Sequence, residues 1–432
     1  MSAMSVELET PTIGVPPQSL PSVVLVSRYF APGAAVGGKR FTFLCREFES
    51  RGLDIQVVTM ALDRDEPTDP SLPMPRNVFA CRPAVRLPLR RSTILGRAIN
   101  RVAGAVLAPA DLDIFWIPCA TRCGRLITNR GGFSFVIATL PPPSAALVAA
   151  RIARSRNCPL ILDYRDPWTG FVWPHKLRGR FERTVAQRLE RWCVRQSAAR
   201  IFITDEMRQS FEAHFPECRH DRNWVIPNGT DLVPTLGPAV RQGRDIVHAG
   251  SLYGDRSIVS LLSALDLLIG RKTMLAGTRV LVYGDISAAE KQAVTAAGLG
   301  HLLEVRGRIS RDELQVRVRE ARALLVISGD QMAYSIPYKL YDYLAACKPI
   351  LAVASPRSAA ARFMREHAVG RCVDPANVTE LGRALEEVLL GSERQVIDDK
   401  TISAYLWSTL AEQYLHVLRI LAADRATAAP RR

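Results

Sequence analysis

"ALLVISGDQMAYSIPYKLYDYLAACKPILAVA", residues 323–354, holds a whole strand–loop–helix–strand unit. Its two ends, Ala323–Ser328 and Pro349–Ala354, are near-continuous apolar runs. Such runs suit strands covered on both faces of a parallel sheet. Between them a Pro-interrupted loop with a tyrosine leads into a short helical pattern, Tyr338–Ala346. Lys339 and Asp342 are the charges within that helix. Three residues apart, they can neutralise each other as a solvated pair, or together hold something polar.

The same alternation extends in both directions. The spacing predicts strands at Val23–Ser27, Ile55–Thr59, Ile114–Ile117, Phe135–Thr139, Leu160–Leu162 and Arg200–Thr204, with helices at Lys39–Ser50, Ser144–Arg156 and Arg180–Gln196. The rhythm stops in the Pro-, Gly- and Asn-rich stretch "VIPNGTDLVPTLGPAVRQGR" and then restarts. A linker is expected near residues 227–243. Beyond it, strands are expected at Asp245–Ala249, Arg279–Tyr283, Leu303–Arg306 and Arg371–Val373, besides the two above. Helices are expected at Ser257–Ile269, Ala288–Ala297, Arg311–Ala321, Ser358–Glu366 and Thr379–Leu390. Two successive βα series make an α/β protein of two Rossmann-like, doubly wound parallel-sheet domains. A length of 432 residues suits two cores better than one. Two such lobes leave a cleft at the carboxyl ends of their strands, where open α/β sheets bind ligands.

Composition narrows the partners. The formal net charge of +15 favours an anionic one: nucleic acid, a membrane surface or a phosphorylated ligand. Nucleic acid is disfavoured, because no binding motif is present and the aromatic residues are not interleaved with the basic ones. Nine scattered cysteines form no disulfide framework or zinc-ligand spacing, which points to reduced thiols in a cytosolic protein. Residues 1–21 lack the basic and apolar regions of a signal peptide and are expected to be a disordered arm, as is the tail 422–432. No uninterrupted apolar window of membrane-spanning length is found.

Three loops are candidates for chemistry. "FAPGAAVGGKR", residues 30–40, follows the first strand, and Gly37 and Gly38 there permit close approach of backbone to ligand or simply make a strand-to-helix turn. "HAGSLYGDRS", residues 248–257, carries Gly250, Gly254 and Arg256 ahead of a helix N-terminus. This combination can hold a diphosphate, or the arginine can merely cover the helix surface. "LDYRDPWTG", residues 162–170, ends a buried strand with Arg165 and Asp166 at the cleft, as reactive groups or as a self-satisfied ion pair. Asp63/Asp65 and Asp111/Asp113 imitate the Asp-x-Asp of metal-dependent transferases, but neither has a partner at ligand spacing. No metal is expected. Two basic amphipathic segments can meet an anionic membrane: residues 86–107, and 178–195 with Phe181, Val185, Leu189 and Trp192 on one face. The first is the stronger membrane candidate, and the second is expected to pack against the core.

These pieces, in their order from about residue 22 to 420, resemble the GT-B glycosyltransferases of family 4, in particular the bacterial polysaccharide-type members. The matching stretches are "YFAPGAAVGG", "FVIATLPPPSAALVAARIA", "LILDYRDPWTG", "WVIPNGTDL", "IVHAGSLYGDRSIVSLLSAL" and "SIPYKLYDYLAACKPILAV". "TISAYLWSTLAEQYLHVL", residues 401–418, resembles the family's last helix, which crosses back onto the first lobe. The domains implied are an acceptor-side lobe at 22–235, a donor lobe at 236–400 and a crossover helix at 401–421.

The resemblance implies a retaining, metal-independent transfer of sugar from a nucleotide diphosphate sugar, with no other cofactor. The acceptor implied is lipid-linked or a saccharide, in envelope or exopolysaccharide synthesis. Peripheral attachment to the inner face of the plasma membrane is expected through residues 86–107. Asp342 matches the second acid of the family's two-glutamate motif, which holds the donor ribose, while Tyr334 stands where the first acid belongs. Ser335, Ile336 and Pro337 match the turn that approaches the donor, and Arg256 the base that neutralises its diphosphate. Ser251 replaces a second basic residue, for which Lys339 can substitute. The family's catalytic histidine is missing: Arg165 occupies its place beside Asp166, as in an "RDxW" subgroup. Two alternatives remain open, a nucleotide-sugar epimerase on the same fold and a non-catalytic sugar-nucleotide scaffold.

Overall fold

The computed structural model describes residues 21–83, 111, 113–129, 133–169, 180–219, 222–233, 243–270, 277–391 and 397–428. The basic segment 86–107, nearly all of the N-terminal arm and most of the linker lie outside these residues.

The first lobe is built on β1 (Val23–Val26), β2 (Ile55–Met60), β3 (Val78–Cys81), β4 (Phe135–Leu140), β5 (Leu160–Tyr164), β6 (Ser197–Phe202) and β7 (Asn223–Val225). All pair parallel, in the order β3-β2-β1-β4-β5-β6-β7. Its helices are α1 (Val36–Ser50), α2 (Ile117–Asn129), α3 (Pro143–Arg156), α4 (Arg180–Gln196) and α5 (Asp205–His214). The second lobe has β8 (Ile246–Ala249), β9 (Val280–Tyr283), β10 (Leu303–Val305), β11 (Ala323–Ile327), β12 (Ile350–Val353) and β13 (Arg371–Val373). These too are parallel, in the order β10-β9-β8-β11-β12-β13. Helices α6 (Val259–Gly270), α7 (Ala288–Ala296), α8 (Arg311–Glu320), α9 (Tyr338–Ala346), α10 (Ala359–Glu366) and α11 (Val378–Leu390) flank it. Two last helices follow, α12 (Asp399–Ala404) and α13 (Trp407–Ala428). Strand order reverses at β1/β4 and at β8/β11, so each lobe opens a crevice there at its carboxyl ends.

The long α13 packs on the first lobe. Trp407, Leu410, Tyr414, Leu415 and Leu418 are buried in the same cluster as Phe41, Phe43 and Phe48 of α1. Trp407 stacks on Phe43, and Tyr414 meets Phe41 and Phe48 edge-on. Each such buried side chain contributes about 1.5–3 kcal/mol. A buried ion pair fixes the register: Arg40 of α1 grips Asp163 of β5 at 3.0 Å and also reaches Tyr414 at 3.2 Å. The same guanidinium donates to the carbonyls of Ile226 and Pro227, at the start of the linker.

Several expectations are corrected. Ile114–Ile117 is no strand: Ile114–Trp116 is a 3-10 turn, and α2 starts at Ile117. Pro118 fits a first helical turn, where its missing N–H costs nothing, and Trp116 buries its ring under the sheet. Thr204 ends no strand; it caps α5, its hydroxyl accepting from the Met207 N–H. Two strands escape the pattern, β3 and β7, which are short edge strands with few fully buried residues. The tail is helical through Ala428, because α13 does not end at residue 421. The expected packing of α4 holds in part: Leu189 and Trp192 pack against the first-lobe core beside the buried Glu182 and Glu190, while Phe181 is 68% exposed.

Candidate active site

Four groups converge at the mouth of β8. His248, in β8, is completely buried, and its Nδ1 lies 3.0 Å from the Leu325 carbonyl of β11. A carbonyl only accepts, so Nδ1 carries the proton and Nε2 is left to accept. Lys339, in the first turn of α9, donates to that Nε2 at 2.9 Å. Burial and the Lys339 charge hold His248 well below the ordinary histidine range. Burial and the nearby Arg256 likewise hold Lys339 well below the ordinary lysine range. Gly250 fits under this amine: its φ is +128°, and a Cβ there would stand 2.9 Å from Lys339 Nζ. Arg256 stacks its guanidinium on Tyr253, 4.4 Å from the ring centre, and its Nε is buried with no hydrogen-bond partner.

The neighbouring groups are already engaged. The N-terminus of α6, expected to assist Arg256, is occupied by the Glu290 carboxylate, which accepts from Ser257 Oγ and the Ile258 N–H at 3.0 and 2.8 Å. Ser251 Oγ accepts from the Asp285 N–H at 3.0 Å. The Ser335–Pro337 turn runs over the same crevice: the Ser335 N–H donates to the Met332 carbonyl at 2.9 Å, and Ile336 anchors in the second-lobe core. Pro337 occupies the N-cap of α9, so no side chain caps that helix. Its N-terminus therefore carries the partial positive charge of a helix start with no side chain to offset it.

Asp342 lies one turn further along α9 and meets the first lobe. Its Oδ1 accepts from Thr230 Oγ1 of the linker at 2.6 Å. Burial raises its pKa, while Thr230, Lys39 of α1 and Arg311 of α8 pull it down. Lys39 is itself depressed by burial and lies against the Tyr338 ring, 5.5 Å from its centre. Arg311 pairs with Asp231. Asp342 thus closes a polar cluster between the lobes instead of facing Lys339 alone.

Arg165 and Asp166 differ sharply. The Arg165 guanidinium is buried and fully engaged: Nε donates to Thr139 Oγ1 at 2.9 Å, Nη2 to the Pro141 carbonyl at 2.6 Å, and Nη1 to the Gly37 carbonyl. It braces the loops after β1, β4 and β5 rather than offering a group to a ligand. Gly37 and Gly38 are explained by the same packing, since a Cβ on Gly37 would lie 2.9 Å from Arg165 Nη1, and one on Gly38 3.2 Å from the Phe30 backbone. Asp166, by contrast, reaches across the cleft. Its Oδ1 accepts from the Tyr334 hydroxyl at 3.2 Å. Tyr334 is 1% exposed and lies in the first-lobe core, although it belongs to the second lobe. Its carbonyl accepts from Thr204 Oγ1 at 2.5 Å.

Sequence reasoning missed His248, Lys39, Thr230 and Arg40. Of these, His248 and Arg40 carried a signal, a charged or titratable residue inside an apolar run or beside a glycine turn. Among the described residues no cluster of three His, Cys, Asp or Glu side chains could hold a metal ion. Asp111 and Asp113 have other partners: Asp111 accepts from the Ser144 N–H at 2.5 Å, and Asp113 from Arg28 at 3.1 Å. All nine cysteines are free.

Residues 37–229 match the model of the glycosyl transferase 4-like domain family. No relative was found among curated proteins. Similar solved structures include the lipopolysaccharide outer core galactosyltransferase WaaB, 11% identical over 94% of this chain and 99% of that one, with a TM-score of 0.54. An α,α-trehalose 6-phosphate synthase from Burkholderia multivorans is 14% identical over 96% and 100%, with a TM-score of 0.62. A UDP-GlcNAc 2-epimerase from Methanocaldococcus jannaschii is 10% identical over 92% and 99%, with a TM-score of 0.52. Likeness at these identities shows the shared two-lobed fold. With the family match, it bears out the sequence's resemblance to GT-B glycosyltransferases.

Proposed function

We propose that this glycosyltransferase, a chain with a glycosyl transferase 4-like first lobe on the GT-B fold, moves a sugar from a nucleotide diphosphate sugar held by its second lobe. The observation that supports this most is the pairing of Arg256 and Lys339 at the mouth of β8. One has a buried Nε with no partner, and the other is a lysine whose charge is disfavoured until an anion arrives. A diphosphate supplies an acceptor to the first and a counter-charge to the second, whose amine otherwise meets only His248 Nε2. As the glycosidic bond breaks, negative charge grows on the departing β-phosphate, and fixed cations stabilise it better than water does. Asp342 is assigned to the ribose hydroxyls, and the Ser335–Pro337 turn to the sugar and phosphates.

The transfer is read as retaining and metal-independent, with a lipid-linked or saccharide acceptor entering beside Asp166 from the first lobe. No protein nucleophile is assigned, since front-face attack by the acceptor hydroxyl needs none. The test is a thermal-shift screen against UDP, GDP and dTDP and their sugars, followed by transfer assays with and without EDTA. Stabilisation by a nucleotide diphosphate that Arg256→Ala abolishes supports the reading. An Arg256→Ala variant with unchanged donor affinity defeats it. A sugar isomerised with no acceptor present would instead favour an epimerase on this fold.

A further inference from the structure

The outer face of the first lobe opposes any neutral reading of its surface. Helices α2 and α3 contain five arginines and no acidic residue. Helix α4 adds five more, and its only acids, Glu182 and Glu190, are buried. Two adjoining grooves run between these helices, of about 580 and 530 Å³, and share Arg125 and Arg151. Arg122 and Arg154 complete their charge, while Leu126, Leu147, Leu189 and Trp192 supply apolar walls. Among the described residues Arg191 of α4 pairs with Glu217 at 3.5 Å, whereas Arg122, Arg125, Arg151 and Arg154 form no ion pair. Apolar side chains stand out beside them: Phe181 is 68% and Leu126 54% exposed.

We propose that this α2–α3–α4 face is a docking surface for an anionic phospholipid bilayer. Arginines are attracted by lipid phosphates, while Phe181, Leu126 and the Trp192 edge enter the interfacial region. A protein partner of matching acidity would leave the protruding Phe181 and Leu126 without an apolar medium. Single-stranded nucleic acid would demand aromatic rings presented for stacking, whereas the Trp192 ring forms a groove wall, and a duplex would leave Phe181 and Leu126 in water. Among the described residues no helix is long and apolar enough to cross a membrane, so attachment here is lateral. The inference deepens the reading of a lipid-linked acceptor and rests on that reading for its purpose alone.

The experiment is flotation of the full chain with vesicles of neutral phosphatidylcholine, with and without phosphatidylglycerol. Wild type is expected to float only with the anionic vesicles and to be released by high salt. Each arginine near an anionic leaflet is worth about fivefold in partitioning, so Arg125→Glu/Arg151→Glu should lose more than about tenfold. Phe181→Ser should weaken binding and leave its salt dependence unchanged. Absence of binding by wild type, or equal binding by the double variant, overturns the proposal. So does loss of binding in an Arg90→Glu/Arg91→Glu/Arg97→Glu variant while Arg125→Glu/Arg151→Glu still floats, which would move the contact to residues 86–107. Retention of a duplex DNA probe with no flotation also overturns it. Wild-type flotation with no nucleotide-induced thermal shift would defeat the donor reading and leave the docking surface standing.

Discussion

The phenolic hydroxyl of Tyr334, in the second lobe, donates to the carboxylate of Asp166, in the first, at 3.2 Å. A hydrogen bond to a charged acceptor contributes about 1.5–3 kcal/mol. Tyr334 therefore takes an unusual part: where the family resemblance places an acid, this chain puts a donor that orients an acid from the opposite lobe. Tyr334→Phe is expected to lower kcat roughly tenfold, the equivalent of about 1.4 kcal/mol, with a small change in Tm. Steady-state kinetics beside Asp166→Asn and the double variant check it. Additive losses would mean that the contact is packing and nothing more.

Donor binding should draw in a proton. Burial and Arg256 depress Lys339, so its amine gives up its proton at a lower pH than an ordinary lysine does. An arriving diphosphate favours the charged form and raises the pKa, giving net uptake at pH values between the depressed value and the ordinary one near 10.4. Calorimetry in buffers of different ionisation enthalpy measures this uptake. Lys339→Arg should abolish it while retaining much of the affinity.

Asp342 is expected to govern ribose recognition. Asp342→Ala should reduce the affinity for a nucleoside diphosphate by about tenfold or more, as loss of a charged hydrogen-bond acceptor would. It should also erase any preference for the ribo- over the 2′,3′-dideoxy form. A variant that retains this preference would remove Asp342 from the donor site and leave it as a tie to Thr230.

The Arg40–Asp163 pair should dominate the anchoring of α13. Removing one partner of a buried pair leaves an uncompensated charge, typically about 3–5 kcal/mol. Asp163→Ala should lower Tm steeply and increase proteolysis of α13. Tyr414→Phe, which deletes a hydroxyl bonded to both charges, should have a milder effect.

Glu190 predicts a pH dependence of stability. It is 1% exposed, accepts from Tyr164 and Thr169, and is pushed up to about 7 by burial. Between its unfolded value near 4.3 and about 7 the folded state binds more protons than the unfolded one, so this contribution declines as pH rises. Glu190→Gln should flatten the fall in stability between pH 5 and 8, an effect bounded by about 3 kcal/mol. Denaturation midpoints across that range measure it.

The strand pattern was legible because a parallel sheet covered on both faces needs continuous apolar runs, and β8, β9, β11 and β12 are such runs. Where that demand lapsed, the reading failed. The edge strands β3 and β7 bury little, and Ile114–Ile117 is an apolar run whose proline turned it into a helix start. Local chemistry was legible on the same terms. Gly250 and Arg256 announced a turn beside a cation, but nothing local could show that His248 would lie behind Lys339 or that Glu290 would take the α6 terminus.

The sequence by itself determined the two βα series, the linker between them and the residue types lining the crevices, because periodicity and turn chemistry act over a few neighbours. Only the tertiary structure decided which charges are engaged. Arg165 looks reactive in the chain, yet it is tied to three acceptors, in β4, in the turn after it and in the first turn of α1. Tyr334 looks like one tyrosine among several, yet it crosses the cleft to Asp166. Such assignments depend on partners distant in sequence, from some two dozen residues for Thr139 and Pro141 to 128 for Gly37 and 168 for the Tyr334–Asp166 contact. Burial then sets the cost of leaving any of them unpaired.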